Sequence, residues 1–411
     1  MVLRGSLDRC DDELIEGWVI LVDLPEKKLP LEAVLGEQII GQFVADQFRP
    51  DLKEAGLGDG ACAFSFAMPA FVPKSEIRNL TIRVQGAPLY LKLAIAGAEA
   101  AALPSARDTI SRFGGLWIDR HDWLDNLAAK HRGGEISDTL SSRIFSFVRD
   151  GYLVIEGAVP ARTVTRLKKD IERLWQTPPE GLLIETFEPD GEMRYIAPDI
   201  RYRDGRTKLL DIYAFSAAAR EATAAPQVVE FLTAIFADKP QVFQGLHFWN
   251  GSQQAMHKDT AYVKVDTNPM HLAATWLALE DVESGTGELE YYVGSHRAPD
   301  FLFGGNSKWM ESHTEEHDSF LQSLHDDAAR YGQRRTSFLA KAGDVLIWHA
   351  DLAHGGAPIT KPGRTRRSLV THFTSAGDEP FYRRSSRRRQ AELQGCVFTS
   401  AYYDVPATAS S

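Results

Sequence analysis

Cysteine is scarce in this chain. Cys10, Cys62 and Cys396 stand far apart and never in C-x-x-C spacing. That excludes a disulfide framework or a cysteine-based zinc site and leaves three core-seeking free thiols. Long apolar runs are missing as well. No stretch reaches the roughly 18 residues of a membrane-spanning helix, and the longest candidate, Leu93 to Leu103, is Ala-rich and carries Glu99. Asp11, Asp12 and Glu13 intervene before any apolar segment can form, so no secretory signal and a cytoplasmic location are expected. Positive charge is not in excess either. Lys+Arg 46 against Asp+Glu 56 gives a net charge of −10, which argues against a nucleic-acid partner held by general electrostatic attraction. With 44% hydrophobic and 25% charged residues the chain is neither disordered nor fibrous, and 411 residues suit two or three domains.

What is present divides into three stretches. Residues 1–97 read as all-β. Gly17 to Asp23 is a strand run, Leu31 to Val44 holds two more, Ala61 to Ala67 alternates with period two, and Leu80 to Val84 with Leu89 to Leu93 reads as a hairpin. Short strands at this spacing predict a small β-sandwich. Residues 98–134 read as a connector with a helix over about Leu116 to Lys130, closed by Gly133 and Gly134. Residues 135–411 open with helices near Ser137 to Val148 and Ala161 to Trp175 around a strand at Asp150 to Glu156, and strands dominate after about residue 207. The first stretch resembles a small β module attached to bacterial glycosyltransferases and related surface-glycan enzymes, on Gly17-Trp18, Arg49-Pro50-Asp51-Leu52 and Gly58-Asp59-Gly60 followed by Phe64.

The chemistry concentrates at His257-Lys258-Asp259. On a strand, residues two apart share a face, so one imidazole and one carboxylate would meet at one point. A borderline divalent cation accepts that N/O pair, but a site needs a third ligand. The run Gly343 to Gly356 offers it, with a strand over Val345 to His349 and a turn that places His354. His349-Ala350-Asp351 is a second H-x-D, read as a structural neighbour of His354. Two histidines and one carboxylate form a facial triad, the arrangement of non-haem Fe(II) oxygenases. A 2-oxoglutarate co-substrate would then need a buried cation for its far carboxylate, preferably an arginine. Arg364, Arg366 and Arg367 lie on the next strand. Adjacent strand residues face opposite ways, so only one of Arg366 and Arg367 points inward, and periodicity does not choose.

The stretch from Ser137 to Thr374 resembles the phytanoyl-CoA dioxygenase family of Fe(II)/2-oxoglutarate oxygenases. The likeness rests on Asp150 to Gly157, His257-Lys258-Asp259, Ala273 to Val282, Gly287-Glu288-Leu289-Glu290, Gly294-Ser295-His296, Gly343-Asp344 with His349 and His354-Gly355, and Arg366 to Phe373. It implies a mainly β fold with flanking helices, a double-stranded β-helix of the jelly-roll or cupin kind. It implies Fe(II), 2-oxoglutarate and O2 as cofactor and co-substrates. It makes His257, Asp259 and His354 the metal ligands, Arg366 the carboxylate anchor, Trp276 an aromatic wall of the co-substrate pocket and Gln244 a further lining residue. The family often has serine at the position of Gly356 and proline at that of Val293. Related halogenases lack the carboxylate, so Asp259 favours hydroxylation.

Tyr262 follows the metal motif closely and is a candidate for substrate contact. His247, His271 and His372 are expected in packing or supporting roles, and Trp249 as core. Residues 298–336, with His313, His317 and His325, interrupt the family pattern and are expected to form a lid over the substrate. The basic cluster Arg383 to Arg389 is expected to be a solvated or ion-pairing segment. The substrate is expected to be a small molecule or a surface-glycan or lipid-linked saccharide precursor. A glycan-binding scaffold with an inactive barrel is the alternative, against which the intact triad and Arg366 speak.

Overall fold

The structure, a computed structural model, describes residues 3–11, 13–21, 24–35, 38–68, 80–85, 90–91, 111–120, 122–187, 192–266, 268–311, 313–381 and 388–407. Most of the connector before Ser111 and the centre of the Arg383–Arg389 cluster lie outside these residues. The chain divides into two compact units, Met1–Ser105 and Ala106–Ser411.

The first unit is built from two four-stranded antiparallel sheets. One pairs Leu3–Cys10, Leu14–Leu21, Ala61–Ala67 and Gln47–Phe48; the other pairs Gln38–Ala45, Leu29–Leu35, Leu80–Val84 and Tyr90–Leu91. Alternation along each strand sends Ile15, Val19, Leu31, Ala33, Ile82 and Phe64 into one shared core. The residues of the module resemblance have local structural work. A Cβ on Gly17 would lie 2.3 Å from the Ser6 carbonyl oxygen, so only glycine lets the first two strands pair there. Trp18 packs with Ile20, Leu52, Leu57 and Cys62 on the opposite face. Arg49 salt-bridges Asp51 at 2.6 Å and also meets Asp8, pinning the short helix Pro50–Glu54.

In the second unit three layers stack. The middle layer is a large sheet whose neighbouring strands run, in order, Met193–Ile196, Ile184–Phe187, Lys208–Leu210, Pro240–Phe248, Ser368–Ser375, Ala273–Ala278, Val345–His349 and Tyr152–Ile155. Every pairing along this path is antiparallel. Helices cover one face. Ser137 caps Asp138–Asp150 by accepting the Leu140 N–H at 3.2 Å, and Gly151 ends it at φ 82°. Ala161–Gln176 buries Val164, Leu167, Ile171 and Leu174, an i, i+3, i+7 stripe. With Pro226–Phe236 these helices form the main core against the sheet, and Leu116, Ile118 and Leu127 of the helical connector join it. The other face meets a three-stranded sheet of Arg335–Phe338, Leu289–Tyr292 and His354–Gly356. Trp276, Trp348 and Leu346 from the large sheet interleave with Leu289, Tyr291 and Phe338 from the small one. Two antiparallel sheets packed face to face, with helices outside, are the double-stranded β-helix that the resemblance implied.

The segment 298–336, expected as a lid, contains an α-helix. It folds as the helix His317–Arg330 with Phe303, Phe320 and Leu324 buried against Met256, Ala261 and Ala353. This small apolar core places the segment beside both ligand-bearing segments. Among the described residues no helix is long and apolar enough to cross a membrane.

Candidate metal centre

Three side chains converge at one end of the space between the sheets. His257 and His354 face each other across an isolated antiparallel bridge, closed by His257 N–H to His354 O at 2.8 Å and His354 N–H to His257 O at 2.9 Å. Asp259 does not continue a strand, as the spacing alone predicted. Lys258 is extended (φ −111°, ψ 136°), and Asp259 opens a 3₁₀ turn to Ala261. One extended residue between them suffices to turn both side chains to the same side. The outcome matches the expectation through a different local geometry.

Each ligand is oriented by a second contact. His257 Nδ1 lies 2.8 Å from the Ala255 carbonyl oxygen, and His354 Nδ1 lies 2.9 Å from that of Leu352. A carbonyl only accepts, so both rings carry the proton on Nδ1 and turn a free Nε2 lone pair to the centre. Those Nε2 atoms stand 3.8 and 3.7 Å from Asp259 Oδ1. The other carboxylate oxygen, Oδ2, accepts the indole N–H of Trp348 at 2.7 Å and has His372 Nε2 at 3.5 Å. Burial and the neighbouring His354 push His257 down to about 3, so its ring is neutral. Two imidazoles and one carboxylate, all buried and with donor atoms within 4.8 Å of one another, are the ligand set that a borderline divalent cation takes. Among the described residues it is the one fully buried group of this kind.

Supporting contacts come from the residues that carried the family resemblance. Ser295 Oγ accepts the Ala353 N–H at 2.8 Å, one residue before His354. Asp344 accepts the Gly157 and Lys341 N–H groups, each at 2.8 Å, and fixes the turn into Val345–His349. Gly343, at φ 97°, has no room for a side chain, since a Cβ would lie 2.4 Å from the Val159 carbonyl oxygen.

The sequence profile of the phytanoyl-CoA dioxygenase (PhyH) family matches residues 147–368. The chain belongs to that family. Similar solved structures include the epimerase SnoN in complex with Fe3+, alpha ketoglutarate and nogalamycin RO (18% identity, 58% of this chain and 85% of that one, TM-score 0.44). EctD from S. alaskensis with 2-oxoglutarate and 5-hydroxyectoine follows at 20% identity, 58% and 76% coverage and TM-score 0.42. The carbocyclase SnoK from nogalamycin biosynthesis matches at 16% identity, 60% and 86% coverage and TM-score 0.44. A search of curated proteins gave no match. As a PhyH-family protein with an intact H-x-D…H triad, the chain is an Fe(II)- and 2-oxoglutarate-dependent oxygenase.

The PhyH-family site continues as a cleft lined in part by Lys208, Ser252, Trp276, Trp348, Arg366 and His372. Arg366 is buried. Its guanidinium lies 5.2 Å from the Trp276 ring centroid, Nη1 donates to Ser368 Oγ at 2.6 Å, and among the described residues Nε has no hydrogen-bond partner. Burial pushes it down to about 10, partly offset by Glu280 and Glu288, so it stays a cation at neutral pH. Arg367 faces the other way and is already engaged, donating from Nε to Glu280 at 2.9 Å and reaching Glu172 at 3.4 Å. The buried, unpartnered donor is what a carboxylate-bearing co-substrate fits.

Other candidates stand elsewhere. Gln244 pairs with His372 across the sheet but is not among the cleft-lining residues. Tyr262 is half-buried, with its ring 5.6 Å from that of His257 and its hydroxyl 2.7 Å from His317 Nε2. His349 points away, 3.2 Å from Asp119, and His271 contacts Asp378 at 2.6 Å. His247 and Trp249 sit together, 6.4 Å between ring centroids, with Trp249 in the helix-side core. Trp348, Lys208 and Ser252 went unnoticed in the sequence. Only Trp348 carried a signal, one residue before His349 and opposite in face. Replacing Trp348 with phenylalanine removes the Asp259 hydrogen bond and is expected to weaken divalent-metal binding about 10- to 100-fold, as read by Co(II) titration; an unchanged affinity contradicts this.

Proposed function

We propose that the chain hydroxylates a small organic molecule, with a lipid-linked or otherwise amphiphilic saccharide precursor as the favoured class. The observation that carries the oxidative part is the pairing of a buried triad with a buried, carboxylate-free arginine in one cleft. Fe(II) and 2-oxoglutarate, when bound, supply an O2-dependent two-electron oxidation with succinate and CO2 as co-products. His257, Asp259 and His354 would hold the metal, and Arg366 the far carboxylate, with Trp276 as the wall beneath it. Lys208 lies near enough to His257 to lower its proton affinity, so it would offset the anionic end of the co-substrate nearest the metal. Asp259 keeps its place as a ligand, which favours hydroxylation over halogenation.

Gly356 has a structural counterpart. A Cβ there would lie 2.8 Å from both Gln253 N and Ser252 Oγ. The Ser252 hydroxyl lies close to the position at which the family often has a serine, and it would take over a contact to the co-substrate.

The substrate class is supported by the sheet face that leads to the cleft. By register, Phe248 pairs with Lys208, Lys208-side Glu185 pairs with Tyr195, and Phe187 pairs with Met193. Lys208 and Glu185 form a salt bridge, while Phe187, Met193 and Tyr195 are each about half exposed. A polar spot beside an exposed apolar and aromatic strip suits a molecule with both characters. The resemblance of the sequence of residues 1–97 to β modules of bacterial surface-glycan enzymes points to the same class. The test is succinate release by the Fe(II)-loaded chain in air, with and without lipid-linked and free saccharides. Stimulation by a saccharide supports the reading. Succinate release that no saccharide stimulates, but a non-sugar metabolite does, overturns the substrate class.

A further inference from the structure

The segment 298–336 carries a buried charge network next to the triad. Lys308 is 6% exposed and Asp351 2%. The Lys308 ammonium donates to Asp300 Oδ1 at 2.6 Å and to Asp351 Oδ2. Asp351 Oδ1 accepts the Thr260 hydroxyl at 2.7 Å. Thr260 directly follows Asp259, and Asp351 stands three residues before His354. One carboxylate therefore ties together the two segments that carry the ligands, and Lys308 neutralises it. Met310 N–H adds a backbone bond to Ala261 O at 3.0 Å.

The backbone bridge between His257 and His354 fixes those two ligands directly. Asp259 lies outside the bridge. Its side chain is steadied by Trp348, and its backbone by the hook from Thr260 to Asp351. Burial alone would favour protonated Asp351; Lys308, Lys258 and His349 outweigh it and keep the carboxylate charged. Without Lys308 the buried anion loses its hydrogen-bonded counter-ion and must draw in water or a proton, and the hook on Thr260 slackens.

We propose that Lys308 is a positioning residue for the metal, holding Asp259 through Asp351 and Thr260 in the geometry that tight divalent-cation binding needs. The proposal rests on the triad reading.

The experiment is titration of the full metal-free chain with Co(II), following its ligand-field absorption, alongside thermal unfolding. Loss of a supporting partner costs about 10- to 100-fold in metal affinity, so Lys308→Met should raise the Co(II) dissociation constant by that factor and alter the spectrum. Lys308→Arg should restore binding to within about threefold of the original chain, and Thr260→Val should weaken it by more than about threefold. A role confined to fold stability would lower the melting temperature and leave the dissociation constant unmoved; Co(II) binding within about threefold for both Lys308→Met and Thr260→Val overturns the proposal. If Lys308→Met does not fold, Thr260→Val decides alone, because it removes one hydroxyl and leaves the Lys308–Asp351 pair whole. If His257→Ala binds Co(II) as the original chain does, the triad reading itself fails, and this proposal with it.

Discussion

Alanine at His257 is expected to abolish 2-oxoglutarate turnover and metal binding together. The ring supplies one of three protein donors, and its Nδ1 contact to Ala255 holds the Nε2 lone pair on the centre. Loss of a supporting partner alone costs about 10- to 100-fold in affinity, and removal of a ligand must cost more. The remaining pair, His354 and Asp259, offers an incomplete face to the cation. The substitution also leaves the fold largely intact, because the bridge to His354 is made by backbone atoms. A folded variant with no succinate release and no bound Fe(II) is the expected result. Retained turnover would show that the metal sits on other side chains.

The second large effect is at Arg366. Methionine there keeps the aliphatic contact with Trp276 but removes the cation. A buried charge-assisted pair is worth about 2–5 kcal/mol when one partner is truncated, and about 1.4 kcal/mol is tenfold. The KM for 2-oxoglutarate should therefore rise from about 30-fold to several thousandfold. Stability should move the other way. Without co-substrate, Arg366 is a buried cation with no carboxylate hydrogen-bonded to it among the described residues, its one side-chain acceptor being the neutral Ser368, and burying a charge without such a partner is costly. The metal-free variant should melt at or above the temperature of the original chain, while losing the upward shift that 2-oxoglutarate gives to the latter. A variant that loses stability and keeps its KM would assign Arg366 to packing, and Arg367 would not replace it, since that side chain already serves Glu280 and Glu172.

The ligands were legible in the sequence because their chemistry is local. His257 and Asp259 stand two apart, and His354 follows a strand run that ends in a tight turn. The choice between Arg366 and Arg367 was not legible from periodicity. Arg366 and Arg367 stand just before the strand Ser368–Ser375 rather than on it, so alternation does not govern them; their facing depends on the folded chain around Ser368, which pairs with Phe248 and Ala278. Lys208 and Ser252 reach the cleft through long-range strand pairing and a close backbone approach at Gly356, neither of which leaves a mark near the metal motif. The insertion read as a lid because of its location between Gly294-Ser295-His296 and Gly343-Asp344 and its length. Its burial depends on Phe303, Phe320 and Leu324 meeting Met256 and Ala353, a tertiary contact between segments far apart in the chain. The short strands of the first unit were legible from alternation, and the glycines at 17, 58 and 60 from turn or close-packing needs, with φ of 59° and 79° at Gly58 and Gly60.

One Fe(II) and one 2-oxoglutarate are expected to bind together at the triad. Anaerobic titration of the full chain with Fe(II) in the presence of 2-oxoglutarate reads this directly through the weak visible charge-transfer absorption of the chelate. The account predicts a band that saturates at one metal per chain, is absent in His257→Ala, and requires far more 2-oxoglutarate in Arg366→Met. No band in the original chain, or an undiminished band in His257→Ala, would contradict it.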